Sequence, residues 1–291
     1  MPDSHALRLE RAHRALLGLA VGDGFGERFF GPPLELLPMF DTRQLPPAPW
    51  CWTDDTAMAV SVVDVLERHG GIVVDALALA FARRYAAEPH RGYGSTAHEI
   101  LQAIGEGQPW PRVASAPYGG TGSMGNGSAM RVAPVGAYFA DDLNELVEHA
   151  TRSAKPTHTH PEAAAGAVAI ALGTALHLQR CDAASIFRAV LEHTPGSRTR
   201  EGIEAAAALD LDTPVGDAAK KLGNGSSVVC HDTVPFCLWM SVRHCEDFEE
   251  AMWQTVSGLG DRDTTCAIVG GMLANRCEPP PHFVDALEPF P

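Results

Sequence analysis

The chain has 291 residues, with 36 Asp and Glu against 22 Lys and Arg, a formal net charge of −14. Hydrophobic residues make up 45% and charged residues 20%, a balance of neither a disordered chain nor a membrane protein. The acidic excess argues against a general nucleic-acid binder, which needs a basic face to displace counterions, while suiting solubility or metal cations equally well.

Apolar residues at Leu9, Ala12, Leu16 and Leu19 predict a first helix over 6–21, stopped by the glycines of Gly22-Asp23-Gly24-Phe25-Gly26-Glu27. Asp23 is unfavourable near a helix C-terminus, which hints at a packing or site role. A Pro-rich loop follows over 31–49. Helical spacing then predicts helices over 56–68, 74–87 and 96–104, a Gly-rich loop over 119–127, and further helices over 141–153, 161–179, 183–193, 200–209, 214–222, 234–242, 247–257 and 264–276. Pro161 suits a first helical position, with Thr159 or His160 as its cap. β-alternation is nearly missing, no repeat is evident and no linker divides the chain. The expectation is one all-α domain over 1–291, with about twelve helices.

The apolar run 163–178 falls short of a membrane span of about 20 residues and reads as a helix buried all round. The seven cysteines contain no CxxC pair, so neither a zinc ribbon nor a thioredoxin-type site is indicated. Residues 1–14 lack an apolar signal core. A reducing cytoplasm is expected, with the cysteines as small buried hydrophobes.

Two segments concentrate acids beside threonine at helix starts: Thr53-Asp54-Asp55-Thr56 and Asp261-Arg262-Asp263-Thr264. Each alone reads as capping, because Thr or Asp accepts orphan N–H bonds and acids favour the dipole. Together they offer hard oxygen ligands of the kind Mg²⁺ and Mn²⁺ prefer, and two such sets meeting would suit a binuclear site. The loop Ser123-Met124-Gly125-Asn126-Gly127 lets backbone N–H groups face a phosphate, or is a flexible surface loop. Thr157-His158-Thr159-His160-Pro161 is a polar turn whose histidines cap a helix or face a ligand. His231-Asp232 is a weaker pointer to an all-α metal phosphohydrolase.

These pieces occur in a particular order: GLAVGDGFGE, WTDDTAMA, GYGST, GSMGNGSAMRVAPVGAYF, THTHPEAAAGAVAIA, TVPFCLW and GLGDRDTTCAIVGGMLA. In this order the chain resembles the ADP-ribosylglycohydrolase family over nearly its whole length. The resemblance implies a compact, single-domain orthogonal helical bundle with a central cleft for two Mg²⁺ or Mn²⁺ ions. It implies Thr53, Asp54, Asp55, Asp261, Asp263 and Thr264 as metal ligands. It places Ser123, Met124, Gly125, Asn126 and Gly127, with His158 and His160, around ADP-ribose. Asp54, Asp55 and Asp263 would carry catalysis, with Glu27 or Glu99 as the acid or base. Serine-specific relatives carry a Glu where Phe30 stands here.

The activity implied is metal-dependent hydrolysis of the bond between ADP-ribose and an acceptor on a protein, a nucleic acid or a small molecule. The alternative is a catalytically silent ADP-ribose binder on the same scaffold. A monomer is expected, with no membrane and no general nucleic-acid partner.

Overall fold

In the computed structural model, described over residues 3–290, all regular structure is helical, and pairing between extended segments is confined to two isolated bridges, Trp50 with Leu287 and Gly125 with Val229. Met1, Pro2 and Pro291, the ends of the expected 1–291 domain, lie outside the described residues. The first half runs α1 (His5–Glu27), α2 (Pro33–Thr42), α3 (Asp54–His69), α4 (Val74–Ala87), α5 (Ser95–Gly105) and α6 (Trp110–Ser115). Short turns follow as α7 (Pro117–Gly120), α8 (Gly127–Met130) and α9 (Ala133–Tyr138). The second half runs α10 (Leu143–Ala154), α11 (Pro161–Leu178), α12 (Ala183–His193), α13 (Arg198–Ala207) and α14 (Val215–Leu222). It closes with α15 (Cys230–Arg243), α16 (Phe248–Ser257), α17 (Arg262–Leu273) and α18 (Pro281–Ala286).

The glycines expected to end the first helix do not end it. Helix α1 runs six residues past Val21, through Gly22, Gly24 and Gly26, to Glu27. Glycine costs a helix interior about 1 kcal/mol relative to alanine. Here that cost is offset by packing. A Cβ on Gly22 would overlap the Cys266 carbonyl, one on Gly26 would overlap that of Arg262, and one on Gly18 would stand 2.5 Å from the Gly270 oxygen. The bare stripe at Gly18, Gly22 and Gly26 therefore lets α1 lie backbone to backbone on α17. This crossing carries Asp23 and Asp263 to the same end of the molecule.

Helix α11 is the central post. His160 caps it, its Nδ1 accepting from the Glu162 N–H at 3.1 Å, and Pro161 takes the first helical position. Over Pro161–Leu178 it is apolar enough to cross a membrane by length and composition, yet 83% of it is buried within the fold. Its small residues admit close neighbours, with Gly166 against Cys230 and Gly173 against Leu238 and Met272.

Two other expectations are corrected. The Pro-rich loop contains α2, opened by Pro33 in the first turn, where the missing N–H is harmless, and closed by Arg43 in the left-handed region. The Gly-rich loop is partly wound into α7 and α8. The cysteines are all unpaired, but only Cys230, Cys237 and Cys266 are buried, and Cys51 is exposed.

Candidate active site

The site begins at Asp23, fully buried on α1. Its carboxylate accepts from the Thr53 N–H and hydroxyl, both at 2.9 Å, and from the Thr56 N–H and hydroxyl at 3.1 and 2.5 Å. Four donors at the N-terminus of α3 are thus tied to one acid on α1. Thr53 also caps α3, its Oγ1 accepting from the Asp55 N–H at 3.3 Å. The capping reading of this segment is correct. Thr53 and Asp55 are turned inward, and Asp54 is half-buried beside Gly92, where a Cβ would stand 3.6 Å from Asp54 Oδ1.

The second acidic segment opens α17. Asp261 sits at the cap position but makes no capping bond. Its Oδ2 accepts instead from the Asn126 amide at 2.7 Å. The loop before it is shaped by Gly260, at φ +73°, whose missing Cβ leaves room for Asn224. The Asp261 N–H donates to the Asn224 carbonyl at 3.1 Å, and the Asn224 amide donates to the Gly258 carbonyl at 2.9 Å. Gly225 packs on Asp261, where a Cβ would come within 2.5 Å of the Asp261 Cβ.

The two segments meet. The Thr264 hydroxyl donates to Asp55 Oδ2 at 3.4 Å, and the Thr53 hydroxyl lies 3.3 Å from the same oxygen. The other Asp55 oxygen is buried with no partner. Burial, with the crowding of like charges, raises the acids together. Asp23 is pushed up to about 6, by burial against its four donors. Asp54 is pushed to about 7 by burial and Asp23, and Asp263 to about 9 by burial and Asp261. Asp55 is driven well above the carboxylate range by burial, then by Asp23 and Asp263. A folded-state pKa above the unfolded one favours the neutral acid. The stability contribution is therefore full below about pH 4 and lost as pH rises through about 6 to about 9. The expected outcome is that chelator-treated protein loses thermal stability across this window. Mg²⁺ should raise Tm more at about pH 8 than at about pH 5, as thermal melts would show.

These residues fit hard cations. They bring oxygen donors only, and one buried carboxylate oxygen is left unsatisfied. Among the described residues, no three His, Cys, Asp or Glu side chains stand as a ready-made chelating group. The arrangement is an open set, beside which the Thr53 and Thr264 hydroxyls stand as further donors.

A cavity of about 430 Å³ opens over this edge, lined by Glu27, Phe30, Trp52, Thr53, Arg91 and Asp263 among others. Arg91 lies 3.3 Å over the Trp52 ring, donates to the Trp52 carbonyl at 3.0 Å and pairs with Glu88 and Glu288. Glu27 faces the cavity, its carboxyl raised by partial desolvation and then by the charge of Asp23. Phe30 is 49% exposed, its ring under the Arg262 guanidinium at 5.3 Å. Glu99 is exposed on α5 and does not line this cavity.

The glycine loop joins the acids through Asn126, whose amide also lies 3.1 Å from the Thr233 hydroxyl. The loop is stitched to the start of α15: the Asn126 N–H donates to the Val228 carbonyl at 3.2 Å, and the Cys230 N–H to the Met124 carbonyl at 3.1 Å. Ser123 Oγ accepts from the Gly125 N–H at 3.1 Å. His158 packs beneath, its Nε2 3.0 Å from where a Cβ would stand on either Gly125 or Gly127. The glycines are thus required by a buried imidazole. His160 is occupied at the cap of α11.

Asp232 is tied to its own loop, its carboxylate accepting from the Ser227 N–H and its carbonyl from the Gly225 N–H, both at 2.7 Å, while among the described residues the buried His231 Nδ1 has no hydrogen-bond partner. The supports at Asn224 and Gly225 carry no chemical signal in the sequence. Only the Gly-Asn-Gly-Ser turn signal marked them.

The sequence profile of the ADP-ribosylglycohydrolase family matches residues 4–288. An uncharacterized protein of Archaeoglobus fulgidus is 29% identical over 273 residues, covering 90% of this chain and 86% of that one. The ADP-ribosylhydrolase ARH3 of Xenopus tropicalis is 26% identical over 91% of this chain and 83% of its own. Human ARH3 is 26% identical over 76% and 69%, respectively. A solved ADP-ribosylglycohydrolase-related protein complex shares the fold, with a TM-score of 0.69 at 23% identity over 97% of this chain and 94% of that one. The all-α architecture and the match across nearly the whole sequence agree: the chain belongs to the ADP-ribosylglycohydrolase family of hydrolases.

Proposed function

We propose that this hydrolase cleaves the glycosidic bond linking ADP-ribose to an acceptor, and does so with two divalent cations, Mg²⁺ or Mn²⁺. The observation that carries the reading is the contact between Thr264 and Asp55, which brings the two acid–threonine segments together across the fold. Thr53, Asp54, Asp55, Asp261, Asp263 and Thr264 would hold the cations. Held there, such ions would neutralise the crowded acids and would supply Lewis acidity toward water and ribose hydroxyls.

The chain's own residues supply the rest. The Gly125 and Gly127 backbone and the Asn126 position offer a surface for diphosphate that carries no charge of its own. This matters because a chain of net −14 repels an anion at long range. Trp52, held by Arg91, walls the cavity. Rupture of a bond at an anomeric carbon passes through an oxocarbenium-like state and needs a proton delivered to the leaving group or removed from water. Glu27 is the carboxyl suited to that exchange, because it faces the cavity and its pKa is raised. Glu27→Gln is expected to lower kcat by about 100-fold or more while leaving ADP-ribose affinity within a factor of about two. Single-turnover kinetics and calorimetry check the two halves.

The defining experiment is a linkage panel. Release of ADP-ribose is measured from serine-, arginine- and nucleic-acid-linked substrates, with Mg²⁺ and with chelator. Tight ADP-ribose binding without release from any of them would replace the hydrolytic reading with that of a silent binder.

A further inference from the structure

Beneath the glycine loop lies a buried polar relay that the proposed chemistry does not use. Arg131 is fully buried, an unusual place for a guanidinium. Its Nη2 donates to the Ser153 carbonyl and to Thr157 Oγ1, both at 2.9 Å. Its Cζ lies over the Phe81 ring, 4.5 Å from the centroid, and its Nη1 meets only the Met58 sulfur at 3.6 Å. Among the described residues, no carboxylate pairs with it directly. Thr157, 1% exposed, lies 2.7 Å from His158 Nδ1 through the same oxygen.

The donor count on that oxygen is decisive. Arg131 has hydrogens only to give, so Thr157 Oγ1 accepts from it. The single Thr157 hydrogen then has one acceptor within reach, His158 Nδ1. Were Nδ1 protonated, Oγ1 would accept twice and its own hydrogen would be buried without a partner, a cost of about 1–3 kcal/mol. The imidazole is also kept neutral: burial, and then the Arg131 charge, depress its pKa to about 3.

We infer that Arg131 and Thr157 are positioning residues that lock His158 as the neutral Nε2–H tautomer, so that it presents a hydrogen-bond donor at Gly125 and Gly127 for an anionic oxygen of the ligand. Nε2 is the ring atom against both glycines, and among the described residues it has no hydrogen-bond partner within the chain. Such a donor attracts a diphosphate oxygen without adding a charge that would compete with cations for the neighbouring acids. The inference rests on the proposed ADP-ribose chemistry for its ligand, and on geometry alone for its tautomer.

The test separates the two. Histidine ¹⁵N spectra of the ligand-free protein, with His158 assigned through His158→Gln, report which ring nitrogen carries hydrogen. The expected result is a wild-type Nε2–H tautomer that does not protonate between about pH 5 and pH 8. Thr157→Val should abolish the tautomer preference and weaken ADP-ribose binding about 10-fold, with Thr157→Ser restoring both. A wild-type Nδ1–H tautomer, or a Thr157→Val protein that keeps the Nε2–H form, overturns the relay. If Thr157→Val unfolds, the wild-type and Thr157→Ser spectra still decide the tautomer. Wild-type protein that shows the Nε2–H form but binds no ADP-ribose leaves the tautomer standing, overturns its role in ligand binding, and defeats the functional proposal.

Discussion

Asp263→Ala is expected to abolish Mg²⁺-dependent release of ADP-ribose, by a factor of about 100 or more, while leaving the protein folded. The magnitude follows from the chemistry of the position. Partners that only support a metal ligand cost about 10–100-fold when removed, so loss of a ligand should cost at least as much. Folding should survive because Asp263 is half-buried, its pKa is pushed up to about 9, and its hydrogen bond within the chain is the local one from the Thr264 N–H at 2.8 Å. Removing it relieves crowding with Asp261 and Asp55, so metal-free protein should become more stable at about pH 8. Two measurements check this. Turnover should vanish, and the Mg²⁺-induced rise in Tm should shrink together with it. Wild-type turnover in Asp263→Ala would remove the metal assignment.

Asp23→Ala should have the largest effect on stability, about 3 kcal/mol or more. Asp23 accepts from two backbone N–H groups and two hydroxyls of Thr53 and Thr56, all in a buried setting. Each orphaned buried donor costs about 1–3 kcal/mol, with part of that recovered if water enters. Asp23→Asn tests the finer point. An amide retains one acceptor oxygen but turns its N–H₂ toward donors, so it should rescue stability only in part. Urea unfolding gives the energies. Activity should fall in both variants, because the turn bearing Asp54 and Asp55 is anchored through these bonds. A fully stable Asp23→Ala protein would show that this anchor is unimportant.

Most of the architecture was legible in the sequence because long amphipathic and fully apolar helices announce themselves by period. The central post over Pro161–Leu178 lies within the expected 161–179, capped by His160 of the two expected candidates, whereas α3 begins at Asp54, two residues before the expected 56. The differences have distinct physical causes. Gly22, Gly24 and Gly26 carry an ordinary stop signal, yet the stop is overruled by close packing, of Gly22 and Gly26 on α17 and of Gly24 on Trp50 and Leu287, a tertiary fact with no local signature. The short turns α7, α8 and α9 lie below the length at which periodicity speaks. Both acid–threonine segments were evident, but their meeting was not, since 209 positions separate Thr264 from Asp55. Asp23 was visible only as an acid at the wrong end of a helix. That misplacement was the signal, and its four hydrogen bonds are the reason. Asn224 and Gly225 could not be found from type alone, because they act by shaping the turn that presents Asp261.

The bare crossing of α1 on α17 has a further consequence. Where two backbones touch with no side chains between them, there is little room for either helix to breathe. Their amides should therefore be among the last in the molecule to exchange with heavy water, opening only with the whole domain. The acids at the end of that crossing inherit its stillness. Ligand-dependent protection should then appear in the two loops hydrogen-bonded to the Asp261 turn, residues 119–127 and 223–229, and leave the crossing itself unchanged. The molecule would respond to its ligand as a fixed anvil with a movable rim.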